Sequence, residues 1–127
     1  MPATKRTKIL VADDETAIAD TLATILTKAG YEALAAYSGS QAVLIAATFE
    51  PDMFLSNVVM PGMTGIEAAI ELSLRDRSCK ILLFSGQAAT SDLLKKASEQ
   101  KQHFEILSKP IHPADLLAQL KYSVAQV

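Results

Sequence analysis

With 127 residues, half of them apolar and a fifth charged, the chain has the make-up of about one globular domain with a core of its own, expected over residues 1–127. A net charge of -2 gives no electrostatic case for nucleic-acid or membrane-surface binding, and no apolar stretch approaches the ~20 residues of a membrane span. Met1 to Lys8 lacks the apolar core of a signal peptide, and the single Cys79 excludes an intramolecular disulfide, so the expectation is a soluble cytoplasmic domain.

Strand-like and helix-like segments alternate along the chain. Ile9 to Ala12 is the first predicted strand, and it runs into the acidic pair Asp13-Asp14. A first helix is predicted from about Glu15 to Ala29, with Ile18, Leu22, Ile25, Leu26 and Ala29 on one face. Gly30 stands where a left-handed helix cap belongs. Tyr31 to Tyr37 is a weaker second strand. Ser38 can cap a second helix whose inner side carries Ala42, Val43, Ala46 and Ala47. After Pro51 comes a third strand, Met53 to Asn57, which ends before a Pro61-Gly62 turn.

Thr64-Gly65-Ile66-Glu67 has capping-box spacing and opens a third helix, to about Leu74. Lys80 to Ser85 is the fourth strand. A fourth helix starts at Ser91 or Asp92 and ends near Lys101, and Phe104 to Ser108 is the fifth strand, followed by Lys109-Pro110. Pro113 suits a first helical position, and Leu116, Leu117, Leu120 and Val124 form the buried stripe of a fifth helix. Apolar strands that each precede an amphipathic helix imply an α/β fold with a parallel sheet covered on both faces. Right-handed crossovers make it doubly wound. Ligands in such sheets bind at the carboxyl ends of the strands, where Asp13, Asp14, Asn57, Ser85 and Lys109 all fall.

Four segments in this order, Ile9 to Glu15, Val59 to Gly65, Leu83 to Gly86 and Lys109-Pro110, resemble the response-regulator receiver (CheY-like) domain of two-component systems over essentially the whole chain. The resemblance implies a flavodoxin-like (βα)5 sandwich with a five-stranded parallel sheet of order 2-1-3-4-5. It implies a signalling module and not an enzyme in its own right, one that takes a phosphoryl group from a histidine kinase onto an aspartate beside a divalent ion. Asp13, Asp14 and the backbone carbonyl of Val59 would hold Mg²⁺. Lys109 and Ser85 would be the catalytic pair, Lys109 on the acceptor carboxylate and phosphoryl oxygens, Ser85 as a hydrogen-bond donor to the phosphoryl group. A cis Lys109–Pro110 bond is implied as well.

The chain departs from that pattern at the centre. Asn57 stands at the phosphoacceptor position, and an amide oxygen is a poor nucleophile. Phosphotransfer to Asn57 is therefore expected to fail, and Mg²⁺ binding is expected to be weak or absent, since one negative charge is missing. Asp52 cannot substitute, because it lies roughly 16 Å away at the other end of the strand. Ser56 points to the opposite sheet face. Ile106 stands where the family usually has Tyr or Phe, and Gly86-Gln87 follows Ser85 where a small residue such as alanine is common.

Each of these residues also has a plainer reading. Asp13-Asp14 can be a helix N-cap with a first-turn acid. Lys109 can be a static bridge to Asn57 Oδ1 and Asp13 or Asp14, and Ser85 a strand-end hydroxyl. His103 and His112 lack metal-ligand companions, Met60 and Met63 read as packing, and nothing marks Cys79 as an activated nucleophile. The function expected is a degenerate receiver that binds a histidine kinase or other signalling protein without aspartyl phosphorylation. A face made by the fourth helix, fifth strand and fifth helix, with Leu93, Leu94, Ile106 and Tyr122, would carry contacts or a dimer. The alternative is an ordinary phosphoacceptor whose aspartate was engineered to, or deamidates from, Asn57. A small enzyme or flavin protein on the same superfold lacks support, as no Gly-rich phosphate loop follows the first strand.

Overall fold

The computed structural model describes residues 6–76, 78–85, 105–108 and 114–118. The five apolar runs form strands β1 (Lys8–Ala12), β2 (Glu32–Ala36), β3 (Met53–Asn57), β4 (Lys80–Ser85) and β5 (Glu105–Ser108). All pair in parallel, in the order β2-β1-β3-β4-β5. The order places β3 between β1 and β4, and every residue of β3 is buried. A central strand covered on both faces is the reason its sequence is apolar up to Leu55.

Helices α1 (Thr16–Lys28), α2 (Gly39–Phe49) and α3 (Gly65–Arg75) connect the strands, and residues 114–118 are helical. Alternate strand residues feed two cores, as the two-residue period of a strand requires. On one face Ile9, Val11, Leu55 and Phe84 pack with Leu26 of α1 and with Leu116. On the other, Leu10, Phe54 and Leu83 pack with Ala42 of α2 and Ile66 and Leu72 of α3. Phe54 and Phe84 are fully enclosed, each contributing about 1.5–3 kcal/mol through burial.

The helix ends follow from local chemistry. Ser38 accepts from Gln41 N–H to cap α2, and Thr64 and Glu67 close a reciprocal capping box on α3. Gln41 adds a bond of its own, its Oε1 accepting from Tyr37 N–H at 2.6 Å. Gly30 has φ +105, a backbone conformation that follows the α1 C-cap at Ala29 and suits a residue without a Cβ. Two inner-face expectations fail. Ala29 is exposed, since the helix has already ended there, and Ala47 is exposed because the buried line of α2 is Ala42 and Ala46, one turn apart. Phe104, the fourth predicted helix and most of the fifth lie outside the described residues. Among the described residues, no helix is long and apolar enough to cross a membrane.

Two close approaches fix the loop after β3. A Cβ on Gly65 would overlap the carbonyl oxygen of Asn57 and stand 2.8 Å from Ser56 Oγ. A Cβ on Gly39 would stand 2.6 Å from the carbonyl oxygen of Met63. Gly65 N–H also donates to the Val58 carbonyl at 2.8 Å, so α3 begins in contact with the end of β3. Replacing Gly65 with alanine should push α3 off the strand and lower unfolding free energy by about 3 kcal/mol, measured by urea denaturation, while Glu67→Ala at the capping box should cost only about 1 kcal/mol.

Candidate functional site

The register of β1 against β3 creates the site. Ala12 pairs with Ser56, so the residues that follow, Asp13 and Asn57, leave the sheet side by side. Asp13 N–H continues the sheet on its other side by donating to Ala36 carbonyl at 3.1 Å. This is the point where the strand order reverses around β1, the usual position of a ligand crevice in such folds.

Asp13 is fully buried, Asn57 nearly so, and Asp14 is exposed. The Asn57 side chain aims its amide nitrogen at three oxygens. It donates to the Val59 carbonyl at 3.0 Å and reaches Asp13 Oδ1 and Asp14 Oδ1 at 3.5 Å each. The first is a hydrogen bond of ordinary length; the other two are long, and act mainly as charge–dipole attraction. The orientation is dictated by chemistry, since turning the amide over would set Oδ1 against two carboxylates and a carbonyl.

Asp13 has a second task. Its Oδ1 accepts from Glu15 N–H at 2.9 Å, an Asx-type turn that leads into α1. The α1 N-cap, Glu15, makes no side-chain cap bond. The capping reading of the acidic pair fails: the N-cap is Glu15, no acid stands in the first turn, and Asp13 serves instead the turn before the helix and the Asn57 contact. The second acid, Asp14, takes part in the Asn57 contact.

Asn57 is held at the backbone too. Ser56, on the opposite face and fully buried, donates from Oγ to the Asn57 carbonyl at 2.9 Å, and Val58 N–H donates to Phe84 carbonyl at 3.1 Å. Asp52 sits at the far end of β3, where its Oδ2 accepts from Lys8 N–H at 2.8 Å and its carbonyl from Lys80 N–H at 2.9 Å. It ties the starting ends of β1, β3 and β4 and is remote from Asn57.

Ser85 ends β4 and pairs with Ser108 of β5, which sets their backbones on the same rim as Asn57. The Ser85 and Ile106 side chains, Lys109 with Pro110, His103, His112, Leu93, Leu94 and Tyr122 lie outside the described residues. Oxygen donors of the kind a hard divalent ion takes are present in Asp13, Asp14 and the Val59 carbonyl. The amide nitrogen, however, stands among them, and among the described residues no group of three or more His, Cys, Asp or Glu side chains converges to hold a metal. With Asn57 so placed, the residues do not fit the ion.

The chain matches the family described as the response regulator receiver domain over residues 9–121. It is similar in structure to a receiver domain protein from Methanospirillum hungatei, with 24% identity, a TM-score of 0.86, and 96% of each chain covered. It is similar to the chemotaxis protein CheY4 of Vibrio cholerae, at 27% identity and TM-score 0.82, covering 94% of this chain and 99% of that one. A two-component transcriptional regulator AraC from Clostridium phytofermentans is 30% identical, with TM-score 0.80, over 93% of this chain and 92% of that one.

Cys79 lies just before β4, remote from Asn57, and is buried. Burial first, then the nearby charges of Asp76 and Asp52, push its thiol up to about 12. The native thiol should therefore resist iodoacetamide at about pH 8 and react on unfolding in urea, read by intact mass. The raised value also makes this thiol a source of stability that is present below its ordinary range near 9.0 and lost as pH rises toward about 12.

Proposed function

The chain belongs to the response regulator receiver family of two-component signalling, and from that premise we propose that it is a degenerate receiver, one that signals by binding partners without accepting a phosphoryl group on an aspartate. The observation that carries the reading is Asn57. It stands at the end of β3, buried, with its amide nitrogen toward Asp13, Asp14 and the Val59 carbonyl. In the family that position performs the nucleophilic step. A carboxylate oxygen can attack phosphorus and leave an acyl phosphate; the amide has no anionic oxygen to do so, and its nitrogen is committed to the acceptors around it.

The roles of the remaining residues follow the family. Asp13, Asp14 and the Val59 carbonyl are the oxygens that a complete site of the family would offer to Mg²⁺, and in this chain they face the Asn57 amide. Lys109 and Ser85 are the residues that would meet phosphoryl oxygens in a complete site. Partners are a histidine kinase or another signalling protein, met through the face of β5 and its neighbouring helices.

The ordinary-phosphoacceptor reading requires Asn57 to become aspartate. Spontaneous deamidation proceeds by attack of the next residue's backbone nitrogen on the amide carbonyl. That nitrogen, of Val58, is hydrogen-bonded to Phe84 within the sheet, and both Asn57 and Val58 are buried. Both facts oppose ring closure and support a persistent amide.

The test is phosphorylation of the chain and its Asn57→Asp variant with acetyl phosphate and Mg²⁺, followed by mass spectrometry. The native chain should gain nothing and the variant one phosphoryl group. A stable adduct mapped to Asn57 of the native chain would overturn the proposal.

A further inference from the structure

We propose that the Asn57 amide takes the place of the divalent cation, so that the native site is held closed by an internal hydrogen-bond donor and excludes Mg²⁺. The inference rests on the reading of Asn57 as the residue of a receiver site that is not phosphorylated. The two are separable, because function is read by phosphoryl labelling and this inference by metal affinity.

The grounds are geometric. Two carboxylates and a carbonyl meet at the end of β1 and β3, an arrangement of negative and partly negative oxygens that favours a cation or a hydrogen-bond donor among them. A metal ion is one solution. The Asn57 NH₂ is another: it carries two hydrogens, enough for the bond to Val59 at 3.0 Å and for sharing between Asp13 and Asp14 at 3.5 Å. Mg²⁺ draws its ligand oxygens to about 2.0–2.1 Å. A nitrogen 3.0 to 3.5 Å from the same three oxygens occupies that space, so ion and amide exclude each other.

The amide is also not free to swing away. Asn57 is 8% exposed, its carbonyl accepts from Ser56 Oγ, and the next peptide is held by the Val58 N–H bond to Phe84 and the Gly65 N–H bond to Val58. Entry of the ion would cost the Val59 bond and strand a buried amide. The expected consequence runs against ordinary ligand counting. Removing Asn57 takes away a side chain that could offer Oδ1 to the metal, yet it should strengthen metal binding.

Mg²⁺ titration by calorimetry, on the native chain and on Asn57→Ala, decides the matter. Affinity should rise by roughly tenfold or more in the variant, the equivalent of the donor bonds that no longer compete. An affinity equal to or weaker than that of the native chain would overturn the inference, because it would make Asn57 a ligand and not a competitor. A second measurement needs no variant. In the ¹⁵N-labelled native chain the Asn57 side-chain NH₂ resonances should exchange slowly and keep their positions through millimolar Mg²⁺; shifts that saturate with the ion would overturn it.

Discussion

Everything at the upper rim of this sheet depends on how β1 lies against β3. The pairing of Ala12 with Ser56 brings Asp13 and Asn57 out of the sheet at the same level, in a place from which water is largely excluded. A register slip of one residue would turn every side chain of β3 to the other face, and would put Ser56 beside the acids and Asn57 into the α2–α3 core. Fully apolar Leu10, Val11, Phe54 and Leu55 make such a slip costly, so the hydrophobic cores on the two faces set the geometry of a polar site.

Given that register, the charge balance of the rim is a local problem. Asp13 is buried and Asp14 exposed, and acidic oxygens brought this close favour a donor or a cation between them. An aspartate at position 57 would add a third negative charge and favour a cation beside it. An asparagine reverses the sign of the contribution: it removes a charge and supplies two N–H groups. The proposed loss of phosphorylation and the proposed exclusion of the ion therefore rest on one side chain and not on two.

Packing keeps that arrangement from relaxing. Gly65 and Gly39 permit α3 and the loop after β3 to close on the strand end at distances no Cβ would allow. Ser56 satisfies the Asn57 carbonyl from the other face, and Asp52 ties the opposite ends of three strands. The buried Cys79 is part of the α2–α3 core, far from this chemistry.

Much was legible in the sequence. The strand runs of β3 and β4 match to the residue, because they are bounded by Pro51, by the Pro61-Gly62 turn and by polar residues before Lys80. The caps at Ser38 and Thr64 were readable from their spacing, and the sheet order followed from the family that the motifs indicated. Local chemistry and side-chain period carry this information, and both are written in consecutive residues. The sequence also singled out Asn57, and the structure buries it beside Asp13 and Asp14. Only the tertiary structure decided which way its amide faces, that Asp13 serves the α1 turn as well as the site, and that Gly65 is required by a carbonyl and not by its own backbone angle. Those outcomes depend on atoms 43 or 44 positions apart, as between Asn57 and the acidic pair, or on contacts across a loop. No pattern of neighbours along the chain encodes them; they exist only once the strands are in register.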